Sequence, residues 1–282
     1  MSGCFFNSLD VDVNIQVMRQ DLSILVFGHT RPLYIADVLK SLDRQGAISK
    51  VDVWLDGHQS IPEIEYKTQL VREVVNSFNV RSVNSHNGML GFRKLIMHAL
   101  DHAAENYRHV IVLEDDCFPT HDAIEIFTRE LQEIENDRGV FSVYGHHFLV
   151  PDEGDTCSRF QGWGWGTTGD KLKEHVRKLI YLYSLREQEY LDFVHEALTA
   201  DVLGRLDVTP MRQPTHTLKK FYAWDESLAL LTVLSGQVHK KTPKRTIYNF
   251  GACEDSSRFK DVKLFSEPPF NMVSHDHIWD YF

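Results

Sequence analysis

From Asp21 to Tyr144 short apolar runs alternate with segments whose apolar residues recur at helical spacing, and this alternation constrains the fold more than any other feature of the chain. Ser23–His29 (SILVFGH) reads as a strand. Leu33–Arg44 follows as a helix with Leu33, Ala36, Leu39 and Leu42 on one face. Val51–Asp56 is a second strand. Ile64–Phe78 is a helix with Leu70, Val71, Val74, Val75 and Phe78 inward. Val80–Val83 is a weak third strand and Phe92–Ala104 a third helix. His109–Leu113 (HVIVL) is apolar throughout, as a strand covered on both sheet faces must be. His121–Asn136 is a further amphipathic helix and Val140–Tyr144 a further strand. Repeated strand–helix–strand units imply a doubly wound α/β sheet over about residues 20–150.

The second half is less regular. Gln161–Gly169 is rich in Gly and Trp, Lys171–Gly204 looks helical, and Trp224–Gly236 reads as a helix closed by a glycine. The expected organisation is an N-terminal extension over 1–20 and a single domain over 21–282. Within it, about 21–150 would bind a nucleotide and 151–282 an acceptor.

Composition narrows the class. The chain has 282 residues, 43% hydrophobic and 25% charged, ordinary for a globular protein. Lys+Arg 30 against Asp+Glu 40 gives a net charge of −10, which argues against a nucleic-acid or anionic-membrane binder. Four cysteines, Cys4, Cys117, Cys157 and Cys253, form no CxxC pair, so metal-knuckle and redox readings fail and a reduced chain is expected. The first residues lack a secretory pattern, and no apolar run approaches 18 residues. A cytoplasmic, soluble protein without a transmembrane anchor, with room for peripheral membrane association, is the expectation.

The most informative residues are Glu114-Asp115-Asp116, directly after HVIVL. In an open α/β sheet the carboxyl ends of strands line the ligand crevice. Three adjacent carboxylates are costly there unless a cation or hydrogen-bond donors meet them. A hard ion such as Mn²⁺ or Mg²⁺ suits carboxylate oxygens and would in turn bind phosphate. A solvated loop is the plain alternative.

The pattern resembles the GT-A class of nucleotide-sugar-dependent glycosyltransferases, with the N-acetylglucosaminyltransferase I group and bacterial relatives the nearest in motif. That class has a Rossmann-like mixed central sheet flanked by helices, and it carries an acidic motif of the DXD type at the end of a central strand, EDD in this group. The resemblance implies a single GT-A domain moving a sugar from a nucleotide diphosphate sugar, UDP-linked by preference, to an acceptor hydroxyl with inversion. The acceptor would be a glycan or a lipid-linked or protein-linked group. ILVFGHTRP resembles the nucleotide-binding start, with Gly28, His29, Thr30 and Arg31 at the nucleotide. VWLDG places Asp56 where the family has an acid at the uracil edge. HNGMLGFRK, with Gly88 and Arg93, resembles the segment that approaches the nucleotide. FQGWGWGTTGDKL, with Trp163, Gly164 and Trp165, resembles the stretch below the sugars, and AWDES resembles the segment with the catalytic base. By the same resemblance Asp116 binds the metal, and Glu114 and Asp115 orient ribose and sugar. Asp225 or Glu226 is the base, Asp225 preferred, and Trp224 joins the sugar-binding set. Asp255, Ser256 and Arg258 are candidates for phosphate contact in a closing loop.

Plainer readings stand beside these. Asp225 suits a helix N-cap. Trp163, Trp165 and Trp224 suit a core, and Arg31 and Arg93 a solvated face. His239, Lys240, Lys241, Lys244 and Arg245 suit a solvated edge strand, and His275 and His277 a solvated C-terminus. A nucleotidyltransferase on the same type of sheet and a non-catalytic carbohydrate-binding protein are the competing functions.

Overall fold

The computed structural model describes residues 19–58, 60–148, 154–206, 223–253 and 259–282. In chain order the elements are β1 (Gln20–Gly28), α1 (Pro32–Arg44), β2 (Val51–Leu55), α2 (Pro62–Asn76), β3 (Ser82–Ser85), α3 (Phe92–Asn106), β4 (Tyr107–Glu114), β5 (Cys117–Pro119), α4 (Ala123–Ile134), β6 (Val140–Tyr144), β7 (Thr156–Cys157), β8 (Trp165–Thr168), α5 (Gly169–Ser184), α6 (Glu187–Ala197), α7 (Ala200–Leu206), α8 (Trp224–Leu234), β9 (Val238–Lys241), β10 (Ile247–Asn249) and α9 (Val262–Ser266). A 3₁₀ turn over His275–Tyr281 closes the chain.

An eight-stranded mixed sheet runs in the order β3-β2-β1-β4-β8-β6-β9-β7, and β10 and β5 form a separate antiparallel pair. Its four strands β3, β2, β1 and β4 are mutually parallel. Successive strand residues are dealt to opposite faces, because the pleat has a period of two. Leu25 and Phe27 of β1, with Val110 and Val112 of β4, join a layer built with α3, α5 and α8. Ile24, Val26, Ile111 and Leu113 join the opposite layer with α1 and α4. That division explains why HVIVL has no polar face.

The chain thus has the expected α/β architecture with a mixed central sheet flanked by helices. The simple doubly wound picture of the first half needs correction. β6 does not pair with β4. Instead β8, from the Gly/Trp stretch, lies between them and is antiparallel to both. Gly166 makes this placement possible. A Cβ there would lie 3.0 Å from the Val110 carbonyl and 3.3 Å from Leu131 and Phe127.

Local corrections are smaller. The third strand lies at Ser82–Ser85 rather than 80–83, and the helical stretch over 171–204 is made of α5, α6 and α7. The cluster at 239–245 is not an edge strand and not a patch. β9 sits between β6 and β7. His239 is buried on Ser142 (2.7 Å), Lys240 pairs with Glu130 and Glu133, and Lys244 pairs with Asp122.

Strand order reverses at β1 and β4: β2 and β3 lie to one side, the rest of the sheet to the other. Ligand crevices of open α/β sheets lie outside the carboxyl ends of strands at such a reversal. The segment after β1 carries Arg31, and β4 ends in Glu114.

Candidate active site

A cleft of about 1220 Å³ lies above this switch point. Thr30, Arg31, Arg93, Glu114, Asp116, Trp163, Trp224, Asp225 and Glu226 all line it, so residues 62 to 195 positions beyond Arg31 in sequence meet in one place. Three helices open onto it at their N-termini: α1 at Pro32, α3 at Phe92 and α8 at Trp224. Unsatisfied backbone N–H groups there favour an anionic ligand.

The acidic turn is organised by Arg31. Its Nε donates to Asp115 Oδ2 (3.2 Å), its Nη2 to Asp115 Oδ1, and its Nη1 to Asp116 Oδ2 (3.0 Å). Both carboxylates are 8% exposed, whereas the arginine side chain is 33% exposed. Burial works against the guanidinium charge, but Asp115 and Asp116 more than offset it and hold Arg31 firmly protonated. One cation does not balance the turn. Burial, then Asp116, Asp115 and Asp225, push the Glu114 carboxyl up to about 8. Burial also lifts Asp115 to about 6 in spite of Arg31.

Behind Asp116 the chain passes very close. Phe250 N–H donates to the Asp116 carbonyl (3.0 Å), and Asn249 Nδ2 lies 3.5 Å from Asp116 Oδ1. A Cβ on Gly251 would lie 2.2 Å from Asp116 Oδ2, so any other residue there would have to displace the carboxylate. Arg31 rests over the ring of Tyr34 (5.0 Å), which is stacked against Phe250 (4.8 Å) and packs against His275 (4.4 Å). His275 is tied to Asp37 (2.8 Å), as is Trp279 Nε1 (2.8 Å). His275 is therefore a fastener of the C-terminal turn, not a metal ligand, and His277 is exposed beside Asp280.

Across the cleft, α8 begins at Trp224 after Ala223, and no side chain caps it. Asp225 is thus not the N-cap; it stands within the first turn and faces the cleft, close enough to raise the Glu114 carboxyl. Glu226 is buried and held by Arg159, which also donates to the Leu206 carbonyl (3.2 Å). Trp224 packs in an aromatic group with Phe92, Phe160 and Trp165. Trp163 packs edge-on against His146 (5.0 Å) and Phe259 (5.5 Å) and tilted against Phe148 (5.1 Å), with part of its surface on the cleft.

Several expected site residues have other work. Trp165 is fully buried in β8 and offers no face to a sugar. Gly164 has φ +68° and leaves room for Ile247, which a Cβ would meet at 2.6 Å. Gly28 is packed under Ile35 and Leu55. Asp56 is buried, and its oxygens accept from the N–H groups of Gly57 (2.9 Å), Leu90 (2.8 Å) and Gly91 (3.0 Å). It pins the loop before α3 to the end of β2 rather than presenting a free edge. Gly88 bridges to His58 in that loop, and His29 Nε2 lies 3.0 Å from the Gly57 carbonyl. Arg93 stacks on Tyr183 (4.7 Å) and lines the cleft. Asp255, Ser256 and Arg258 lie outside the described residues.

Tyr34, Arg159, Asn249 and Gly251 complete the site and are not evident from sequence. Tyr34 has at most a weak signal, three residues beyond Arg31, which stands at the N-cap of α1. Arg159 had none, because its partner Glu226 is 67 positions away.

The donor set suits a divalent cation in one way only. Among the described residues no group of three His, Cys, Asp or Glu could hold a metal. Asp116 is a single hard carboxylate in a cradle that a Cβ would fill. Such a ligand fits an ion completed by water and substrate phosphate, the usual mode of Mg²⁺.

No protein-family model matches the chain, and no curated protein matches it in sequence. Among solved structures, glucosyl-3-phosphoglycerate synthase from Mycobacterium tuberculosis, in complex with Mn²⁺ and UDP, is similar over 44% of this chain at 13% identity and a TM-score of 0.33. This chain covers 43% of the length of that synthase, less than half. S. aureus TarS (residues 1–349) is similar over 82% of this chain and 60% of its own, at 13% identity and a TM-score of 0.45. A mannosyltransferase from Pyrobaculum calidifontis, with GDP-Man and Mn²⁺, matches over 78% and 74%, at 13% identity and a TM-score of 0.41. Among the described residues no helix is long and apolar enough to cross a membrane.

Proposed function

We propose that the chain is a glycosyltransferase of the GT-A type, moving a sugar from a nucleotide diphosphate sugar to an acceptor hydroxyl with inversion. The observation that carries this reading is the meeting of two acidic groups across one cleft. Glu114-Asp115-Asp116 stands at the β1/β4 switch point with Arg31, and Asp225 stands opposite on α8. The first can hold the charged half of a donor, the second the proton of an acceptor.

Three helix N-termini and Arg31 give the cleft donors for a diphosphate. Asp116 would hold a Mn²⁺ or Mg²⁺ ion, which when bound supplies positive charge for the departing diphosphate. Glu114, protonated at neutral pH, can donate a hydrogen bond to a ribose or sugar oxygen. Trp163 offers a ring surface to a sugar's C–H face. Asp225 accepts the proton of the acceptor hydroxyl as that oxygen bonds to the anomeric carbon and the nucleotide diphosphate leaves with the bonding pair. Asp225 stands in the first turn of α8, where the helix N-terminus favours a negative charge. Glu226 is assigned a structural part, because Arg159 engages it. A UDP-linked donor, a glycan, lipid-linked or protein-linked acceptor, and hexosyl or N-acetylhexosaminyl transfer belong to this same proposal.

The test is product analysis. Incubation with nucleotide sugars and Mn²⁺ should release nucleoside diphosphate. Asp225→Asn should abolish release in the presence of acceptor while leaving donor binding intact. Release of pyrophosphate from a nucleoside triphosphate would assign the cleft to nucleotidyl transfer instead.

A further inference from the structure

We propose that Arg31 is a built-in counter-cation that competes with a divalent ion for Asp116. The acidic turn is then neutralised without metal, and the guanidinium is freed toward the cleft when an ion binds. This rests on the metal part of the reading above.

Four observations carry it. The guanidinium engages both acids at once, two nitrogens on Asp115 and Nη1 on Asp116 Oδ2 at 3.0 Å. It therefore occupies Oδ2, one of the two oxygens that a metal at Asp116 could use. The far side of that carboxylate is crowded: a Cβ on Gly251 would lie 2.2 Å from Oδ2, and Asn249 Nδ2 (3.5 Å) and Cys117 Sγ (3.9 Å) lie beside Oδ1. An ion must come from the cleft, where the arginine lies and where it is far more exposed than the acids. Finally, Arg31 is preset. Its backbone precedes Pro32 at the start of α1, and its side chain rests on Tyr34, which Phe250 and His275 fix. A cation so placed moves by side-chain rotation alone, with its stem held.

The consequence is a coupling of definite sign. Arg31 and the ion are two cations for one carboxylate, so each weakens the other. An anionic ligand relieves the conflict by giving the displaced guanidinium a new partner, as Arg readily pairs with phosphate. Metal alone should therefore bind poorly and metal with a nucleoside diphosphate well.

The test is titration of Mn²⁺ alone into the full chain, followed by the loss of the free-ion electron paramagnetic resonance signal. Arg31→Ala and the neutral, polar Arg31→Gln should each bind Mn²⁺ about 5- to 150-fold more tightly than the wild type, the usual size of such coupling. Adding Asp116→Asn to either variant should abolish the gain. Circular dichroism verifies that each variant is folded, and Arg31→Gln serves if Arg31→Ala is not. Equal or weaker Mn²⁺ binding in the folded Arg31 variants would overturn the proposal, even if the wild type binds Mn²⁺ with a nucleotide. If no variant binds Mn²⁺ with or without nucleotide, the metal reading falls and this inference with it.

Discussion

Gly251→Ala adds one methyl group at the most crowded point of the site. The new Cβ would lie 2.2 Å from Asp116 Oδ2 and 2.9 Å from its carboxyl carbon. Ordinary contacts of carbon fall near 3.5 Å, so one group must move by roughly 1 Å. The backbone cannot yield easily, because Phe250 N–H is bonded to the Asp116 carbonyl and Gly251 N–H to Asn249 Oδ1 (2.9 Å). The carboxylate therefore turns away and gives up its 3.0 Å bond from Arg31. Overpacking of this kind costs about 1–3 kcal/mol. In a chain of this size that is a fall in Tm of about 2–10 °C. The larger effect is on binding: Mn²⁺-dependent affinity for a nucleoside diphosphate should drop at least about tenfold, since a ligand held by charge-assisted bonds has lost its position. Thermal unfolding with and without UDP and Mn²⁺ reads both. Gly88→Ala, where a Cβ meets nothing within 4 Å, is the control for stability. A Gly251→Ala protein with wild-type Tm and wild-type ligand response would refute the confinement of Asp116.

Other expectations follow from the same geometry. Glu226→Ala leaves the buried Arg159 without its carboxylate and should destabilise the fold by about 3–5 kcal/mol, measured by urea unfolding. Glu114 is protonated in the folded chain up to about pH 8 but ionises near 4.5 when unfolded, so it draws stability down as pH rises between those values. Glu114→Gln should accordingly gain stability over the wild type at pH 8 and little at pH 4.5, and equal gains at both would exclude that assignment. His239 acts in the opposite sense. Burial depresses it to about 3, so the unfolded chain binds the extra proton between about 3 and 6.5, and the fold weakens as pH falls through that window. A His239→Gln variant should lose that part of the acid sensitivity. Gly204→Ala, in α7 with open space around the new methyl, should stabilise by about 0.5–1 kcal/mol.

The first half of the fold was legible because buried parallel strands and amphipathic helices carry strong periodic signals. HVIVL and the Leu33–Arg44 helix lie within one or two residues of where the pattern puts them. β8 was not legible. WGTT is only four residues long with glycine inside it, and its place between β4 and β6 is a long-range matter that no local pattern reports; a Cβ at Gly166 would be tight there, 3.0 Å from the Val110 carbonyl. The acidic turn was legible as chemistry, since three carboxylates after a buried strand demand cations. Its partner Arg31 was read as a nucleotide ligand, whereas the structure pairs it with Asp115 and Asp116, a long-range contact over 84 positions. Asp56 is ambiguous for a similar reason: a carboxylate at a strand end serves a ligand or a loop equally well in sequence. Its three bonds to the backbone of residues 57, 90 and 91 show the loop.

The most direct measurement is isothermal titration of UDP, with and without Mn²⁺, into the wild type and Asp116→Asn, with reaction products identified for nucleotide sugars. The proposed function requires Mn²⁺-dependent binding that Asp116→Asn removes, and nucleoside diphosphate release that needs Asp225. Binding that is indifferent to both Mn²⁺ and Asp116, or the absence of any nucleotide binding in the folded chain, would contradict it.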